Sequence, residues 1–157
     1  MLKYLNTQVT FAEVPDEITL CINITGCKNG CKNCHSSYLA QDIGTELTFN
    51  EVRKLIKKNS GISCIALMGG DAEPDKINTL ASFIINHYGS IKVAWYSGRQ
   101  ELNNNIDLCN FDYIKLGPYK EEFGPLNSRT TNQRFYKVNG KELADITNKF
   151  WKHETEN

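Results

Sequence analysis

Cys27, Cys31 and Cys34 stand at C-x3-C-x2-C spacing, interleaved with Lys28, Asn29, Gly30, Lys32 and Asn33 and followed at once by His35. Thiolates are soft ligands for zinc and iron, and three this close along the chain can close on one metal centre. A structural site takes four protein ligands, whereas three leave one coordination position for chemistry. His35 adjoins Cys34, and neighbouring side chains rarely turn to the same metal. A fourth protein ligand would therefore come from further away, with Cys64 and Cys109 as the candidates. Spacing alone leaves both readings open: a completed structural site, or a centre with an unfilled position. Cys21, Cys64 and Cys109 are scattered among apolar neighbours and otherwise read as small core residues.

What surrounds the cysteines limits the kind of protein that carries them. The chain has 157 residues, enough to bury a core without disulfide staples, and 1–157 reads as a single domain. Eighteen lysines and arginines balance eighteen aspartates and glutamates, so bulk charge points to neither nucleic acid nor an anionic membrane. No apolar run approaches the roughly 18 residues of a membrane span. The first residues lack the basic and apolar regions of a secretory signal. The expectation is a cytoplasmic protein whose thiols stay reduced.

The elements that must position the cysteines alternate in type. Residues 9–14 read as a short strand. Residues 18–25 alternate with period two: Ile18, Leu20, Ile22 and Ile24 face one way, and Thr19, Cys21, Asn23 and Thr25 the other. Gly26 ends that strand and the cysteine run begins. Thr48-Phe49-Asn50-Glu51 has the form of a capping box, opening a helix to about Asn59 with Val52, Leu55 and Ile56 inward. A buried strand over 62–68 leads straight into Gly69-Gly70-Asp71. Pro74 suits the first turn of a second helix whose Ile77, Leu80, Ala81, Ile84 and Tyr88 recur at helical spacing. Strands are expected over 91–96, 113–116 and 133–138, a weak helix over 100–108 and a last helix over 141–152. The polar stretch 119–132 suits no regular element, and its length marks a candidate functional loop.

Strands alternating with helices predict an α/β fold with a mostly parallel sheet and right-handed crossovers. Four or five βα units are too few for a closed eight-stranded barrel, which leaves a doubly wound sheet or an open, curved, partial (β/α) barrel with its helices outside. In either, ligands collect at the carboxyl ends of the strands. The cysteine run, Gly69-Gly70-Asp71 and Ser97-Gly98 would meet there.

The motif C-x3-C-x2-C after an early strand of an α/β domain resembles the cluster motif of the radical S-adenosylmethionine superfamily. Met68-Gly69-Gly70-Asp71 stands where that superfamily places a glycine-glycine-acid motif, with Asp71 where glutamate is more common. The short length, Trp95-Tyr96-Ser97-Gly98 and the late run 126–134, above all Asn132-Gln133-Arg134, are similar to the activating proteins of anaerobic (class III) ribonucleoside-triphosphate reductases. The resemblance favours the partial barrel. It implies that Cys27, Cys31 and Cys34 hold a 4Fe–4S cluster whose fourth iron is chelated by S-adenosylmethionine, and that the chain acts as a glycyl radical enzyme activase. Activases of the pyruvate formate-lyase type are the nearest relatives to weigh against it, although these are usually longer. A non-catalytic metal or electron-transfer module is the reading from another class.

The resemblance also implies residue roles. Gly69 and Gly70 would let the backbone approach the methionine moiety, Asp71 would orient its amino group directly or through the turn, and Ser97 would lie beside the ligand. Asn33 stands where many members carry an aromatic against adenine; its backbone or the His35 ring would border the adenine instead. Lys28 and Lys32 would favour the charge of a reduced cluster or dock an acidic electron donor. The expected partners are the large subunit of the reductase, met by residues 120–133 together with Arg134, and a low-potential electron donor such as flavodoxin. Lys115-Leu116-Gly117 departs from the acid-glycine pair expected at that strand end and has no assigned role.

Overall fold

The computed structural model describes residues 1–26 and 41–151. Within them lie the strands β1 (Lys3–Thr10), β2 (Thr19–Ile24), β3 (Thr45–Glu46), β4 (Cys64–Met68), β5 (Lys92–Tyr96), β6 (Tyr113–Leu116), β7 (Arg134–Asn139) and β8 (Glu142–Asp145), and the helices α1 (Phe49–Lys58) and α2 (Pro74–His87). The strands form one open sheet in the order β3-β1-β2-β4-β5-β6-β7-β8. The fold is α/β, as the alternation of elements predicts. No helix among the described residues is long and apolar enough to cross a membrane.

The sheet is mixed rather than mostly parallel. Its centre, β2-β4-β5-β6, is parallel, while β1 and β3 on one side and β7 and β8 on the other run antiparallel. The expected strand over 9–14 lies earlier, at Lys3–Thr10, and forms a hairpin with β2. The expected helix over 141–152 is instead β8 and a 3-10 turn over Thr147–Phe150. Gly140, at φ +64°, opens the two-residue loop between Asn139 and Glu142, a hairpin signal that outweighs the helical spacing of Leu143, Ile146 and Phe150. The strand is then stopped locally: Asp145 Oδ1 accepts from Thr147 N at 2.9 Å and from Thr147 Oγ1 at 2.6 Å. The weak helix over 100–108 is absent. Asn103 Oδ1 takes the Asn105 amide at 2.8 Å, so a side chain competes with the helical bond, and a 3-10 turn over Leu108–Asn110 follows.

Alternation along the parallel strands divides the core into two layers. Leu20, Ile22, Ile24, Ile65, Leu67, Val93, Trp95, Ile114 and Leu116 face α1 and α2 and pack on Val52, Leu55, Ile77, Leu80, Ala81 and Ile84. The other face carries Cys21, Cys64, Ala66, Ala94, Tyr113 and Phe135, closed by Val14, Leu126, Ile146 and Phe150. Both faces of β2 are buried, as its sequence suggests. Thr48 caps α1 by accepting from Glu51 N at 3.1 Å, but the capping box is only half made: the Glu51 carboxylate accepts from Tyr4 Oη at 2.6 Å instead. That bond ties α1 to the edge of the sheet.

Phe135 is the pivot of the layer away from the helices. It is fully buried, with the rings of Tyr96, Tyr113 and Phe150 at 5.8, 5.7 and 5.0 Å. Removing it would leave a cavity lined by three aromatics. Phe135→Ala is expected to lower unfolding free energy by about 3–5 kcal/mol in a denaturant titration.

Candidate functional site

The four central strands end in register. Asn23, Met68, Tyr96 and Lys115 are successive partners across the sheet, so the turns after β2, β4, β5 and β6 emerge along one edge. The first of these turns is Thr25-Gly26. Thr25 N donates to Lys3 O at 2.9 Å, Thr25 Oγ1 to Ile43 O at 2.6 Å, and Gly26 N to Gln41 O at 3.1 Å. Gly26, at φ +79°, and Gln41 thus close the base from which the cysteine run departs and to which it returns. Cys27, Cys31, Cys34, Asn33 and His35 themselves lie outside the described residues, as do Lys28 and Lys32.

Gly69 and Gly70 follow β4 with φ of +109° and +89°, a region closed in practice to residues with a Cβ. A Cβ on Gly69 would lie 3.2 Å from Ile24 O, so the glycine turn presses against the end of β2, beside the root of the cysteine run. A Cβ on Gly70 would overlap the Ile77 side chain of α2. The Gly69 peptide is held from both sides: its N donates to Tyr96 O at 3.0 Å, and its carbonyl accepts from Trp95 Nε1 at 2.7 Å.

Asp71 and Ser97 are both buried, and they meet. Asp71 Oδ1 accepts from Ser97 Oγ at 2.5 Å and Oδ2 from Gly98 N at 2.8 Å, while Arg99 Nη2 donates to the Asp71 carbonyl at 3.1 Å. Asp71 is not the helix N-cap; that position belongs to Glu73. The carboxylate reaches across to the next turn and fixes the spacing between the two.

Lys115 is a site residue whose role sequence reasoning left blank. It is buried on the face away from the helices, and its Nζ donates to Gly117 O at 2.8 Å and Ser97 O at 3.3 Å. A lysine alternating with Ile114 and Leu116 in a short apolar strand is the signal that could have flagged it. Gly117 N in turn donates to Arg99 O at 2.7 Å, and Asn132 Nδ2 to Pro118 O at 3.0 Å. The loop 119–132 is thereby joined to the same edge. It is compact rather than loose, with Thr130 Oγ1 donating to Phe123 O at 2.6 Å and Ser128 N to Pro125 O at 2.9 Å. The turns after β4, β5 and β6 are each bonded to the next.

The remaining cysteines are elsewhere. Cys64 begins β4 at the opposite edge and is fully buried; Cys21 is buried in the middle of β2. Burial pushes both thiols up to about 12. Cys109 differs from the expected core residue: it is exposed, in the 3-10 turn that precedes β6. Its thiol is also raised, chiefly by the hydrogen bond with Asp107. Among the described residues no three His, Cys, Asp or Glu side chains are grouped to hold a metal ion.

Two measurements follow from this arrangement. Asp71→Asn replaces an acceptor with an amide donor facing Ser97 Oγ or Gly98 N, and it is expected to cost about 1.5–3 kcal/mol of stability by chemical denaturation. With Cys27, Cys31 and Cys34 replaced by alanine, Cys109 should be labelled first by iodoacetamide in the folded protein at pH 8. Cys21 and Cys64, with only about one thiol in 10⁴ ionised at that pH, should react only after denaturation.

No protein-family model, curated protein or solved structure matches the chain.

Proposed function

We propose that the chain is a radical S-adenosylmethionine enzyme of the glycyl radical activase kind, serving an anaerobic ribonucleoside-triphosphate reductase. The observation that carries this reading is the meeting of Gly69-Gly70-Asp71 with the root of the three-cysteine run at the carboxyl ends of the parallel central strands. The partial (β/α) barrel belongs to the same reading. Both helices pack on one face of the sheet, whereas a doubly wound sheet is covered by helices on both.

The residues present fit the cofactors. Three thiolates supply three ligands for a 4Fe–4S cluster, and the remaining described cysteines are poorly placed to supply a fourth. Cys64 is locked within the sheet at the far edge, and Cys109 lies at that edge too. The two glycine peptides beside the cysteine root form a backbone cradle without side chains. When bound and reduced, such a cluster supplies the single electron that cleaves the S–C5′ bond of S-adenosylmethionine, giving methionine and the 5′-deoxyadenosyl radical that takes hydrogen from a glycine of the reductase.

The chain's own residues do the positioning. Cys27, Cys31 and Cys34 would hold the irons. Gly69 and Gly70, without side chains, would let the backbone approach the methionine moiety closely, and Asp71 would act through the turn, by holding Ser97 and Gly98. Asn33 and His35 would border the adenine. Residues 120–133, bonded to the strand ends through Asn132 and Pro118, are where the large subunit of the reductase would approach, with Arg129 in that segment and Arg134 at the start of β7 as cations. A low-potential donor such as flavodoxin would deliver the electron near Lys28 and Lys32.

Anaerobic reconstitution with iron and sulfide tests the reading. A brown protein should form and, after reduction, convert S-adenosylmethionine to 5′-deoxyadenosine and methionine; alanine at Cys27, Cys31 or Cys34 should abolish this. Adding the reductase should then produce a glycyl radical signal in electron paramagnetic resonance. A protein that takes up zinc and cleaves nothing would overturn the proposal. Cleavage without a glycyl radical would overturn only the partner.

A further inference from the structure

The two glycines after β4 carry backbone groups of both kinds, and most are already engaged. Gly69 N donates to Tyr96 O at 3.0 Å, Gly69 O accepts from Trp95 Nε1 at 2.7 Å, and Gly70 O accepts from Glu73 N at 3.0 Å. The Gly70 N–H is left, with no partner among the described residues, although Gly70 is buried. A buried backbone donor calls for an acceptor.

Trp95 decides where that donor points. Its side chain is 1 % exposed and packs in the layer between the sheet and the helices, with the Phe111 ring at 6.2 Å. The peptide between Gly69 and Gly70 is trans, so its C=O and N–H point in opposite directions. With the Gly69 carbonyl drawn to the indole, the Gly70 N–H is turned away from it, out of the helix layer. Two glycines at positive φ leave this peptide little steric reason to keep one orientation. The indole bond supplies the reason. A phenylalanine would fill much of the same space but could not donate.

We propose that Trp95 is a positioning residue for the ligand of this edge: it holds the Gly69–Gly70 peptide so that the Gly70 N–H takes a carboxylate oxygen. The inference rests on the reading above, in which the ligand is S-adenosylmethionine and the acceptor is the carboxylate of its methionine moiety. An N–H donor suits the carboxylate and not the ammonium group beside it. The turn therefore also fixes which way round the moiety lies.

Trp95→Phe keeps an aromatic ring and removes the donor. Equilibrium dialysis of the anaerobically reconstituted protein should show S-adenosylmethionine bound about tenfold more weakly than by the wild type. Phe111→Leu disturbs the same packing without touching the bond, and should leave the affinity unchanged. Hydrogen–deuterium exchange read by mass spectrometry adds a measure that needs no variant. S-adenosylmethionine should slow exchange in the wild-type segment containing Gly70, and do so less in Trp95→Phe. Three results would each overturn the inference while the reading of the chain stands: a Trp95→Phe protein that binds as tightly as the wild type, equal losses in Trp95→Phe and Phe111→Leu, or a wild-type segment whose exchange the ligand leaves unchanged. A wild type that binds no S-adenosylmethionine overturns that reading, and the inference with it.

Discussion

Both oxygens of one buried carboxylate are committed to the next turn of the sheet, and the edge depends on that commitment. Asp71 binds Ser97 Oγ and the Gly98 amide, so the turn after β4 cannot move without the turn after β5. A buried carboxylate is costly to desolvate, and hydrogen bonds to it are about twice as strong as neutral ones. The arrangement is therefore stiff as well as specific. Lys115 repeats the device one strand further on, with its ammonium on the carbonyls of Ser97 and Gly117. These two charged side chains tie three successive turns into one surface. The acid of the glycine-glycine-acid turn is thus occupied in building the edge.

The legibility of the sequence followed the range of the interactions. Elements written in local code were readable: α1 from Thr48 and the spacing of Val52 and Leu55, α2 from Pro74 and its apolar stripe, β2 from strict alternation. The central strands were readable because they are short apolar runs bounded by glycine. Long-range pairing was not. β1 could have begun anywhere in a stretch of alternating polar and apolar residues, and only the register with β2 places it at Lys3–Thr10. Residues 141–152 satisfy a helical stripe on paper, but pairing of Val138 with Leu143 across the Gly140 turn commits them to a hairpin. Cys109 was misjudged for the same reason: Leu108 and Phe111 are apolar neighbours in sequence, yet the turn between them shows the thiol to solvent.

At the site, the convergence of turns was legible while its wiring was not. Alternating elements imply a common edge for the strand ends, and Gly69-Gly70, Asp71 and Ser97 fall there. Nothing in the sequence says that Asp71 reaches Ser97, because that contact joins residues 26 apart through a parallel register. Lys115 carried its signal in plain view, a charge inside a four-residue apolar strand. It needed a partner across the sheet to acquire a meaning.

The placement of the spare cysteines sharpens the chemistry of the other three. Cys64 is four residues before the end of β4, which at the usual rise puts it about 13 Å from the edge where the glycine turn begins. It is packed in a layer with Ala66, Ala94 and Phe135, and its raised pKa opposes the thiolate form that a metal requires. Cys109 precedes β6 on that same far side. To complete a site with Cys27, Cys31 and Cys34, either would have to cross the width of the sheet or draw the run rooted at Gly26 and Gln41 down to it. Moving Cys64 would break the core layer in which it is packed. On the proposed reading, three thiolates with no fourth from Cys21, Cys64 or Cys109 are the composition a centre needs if a small molecule is to occupy its last position.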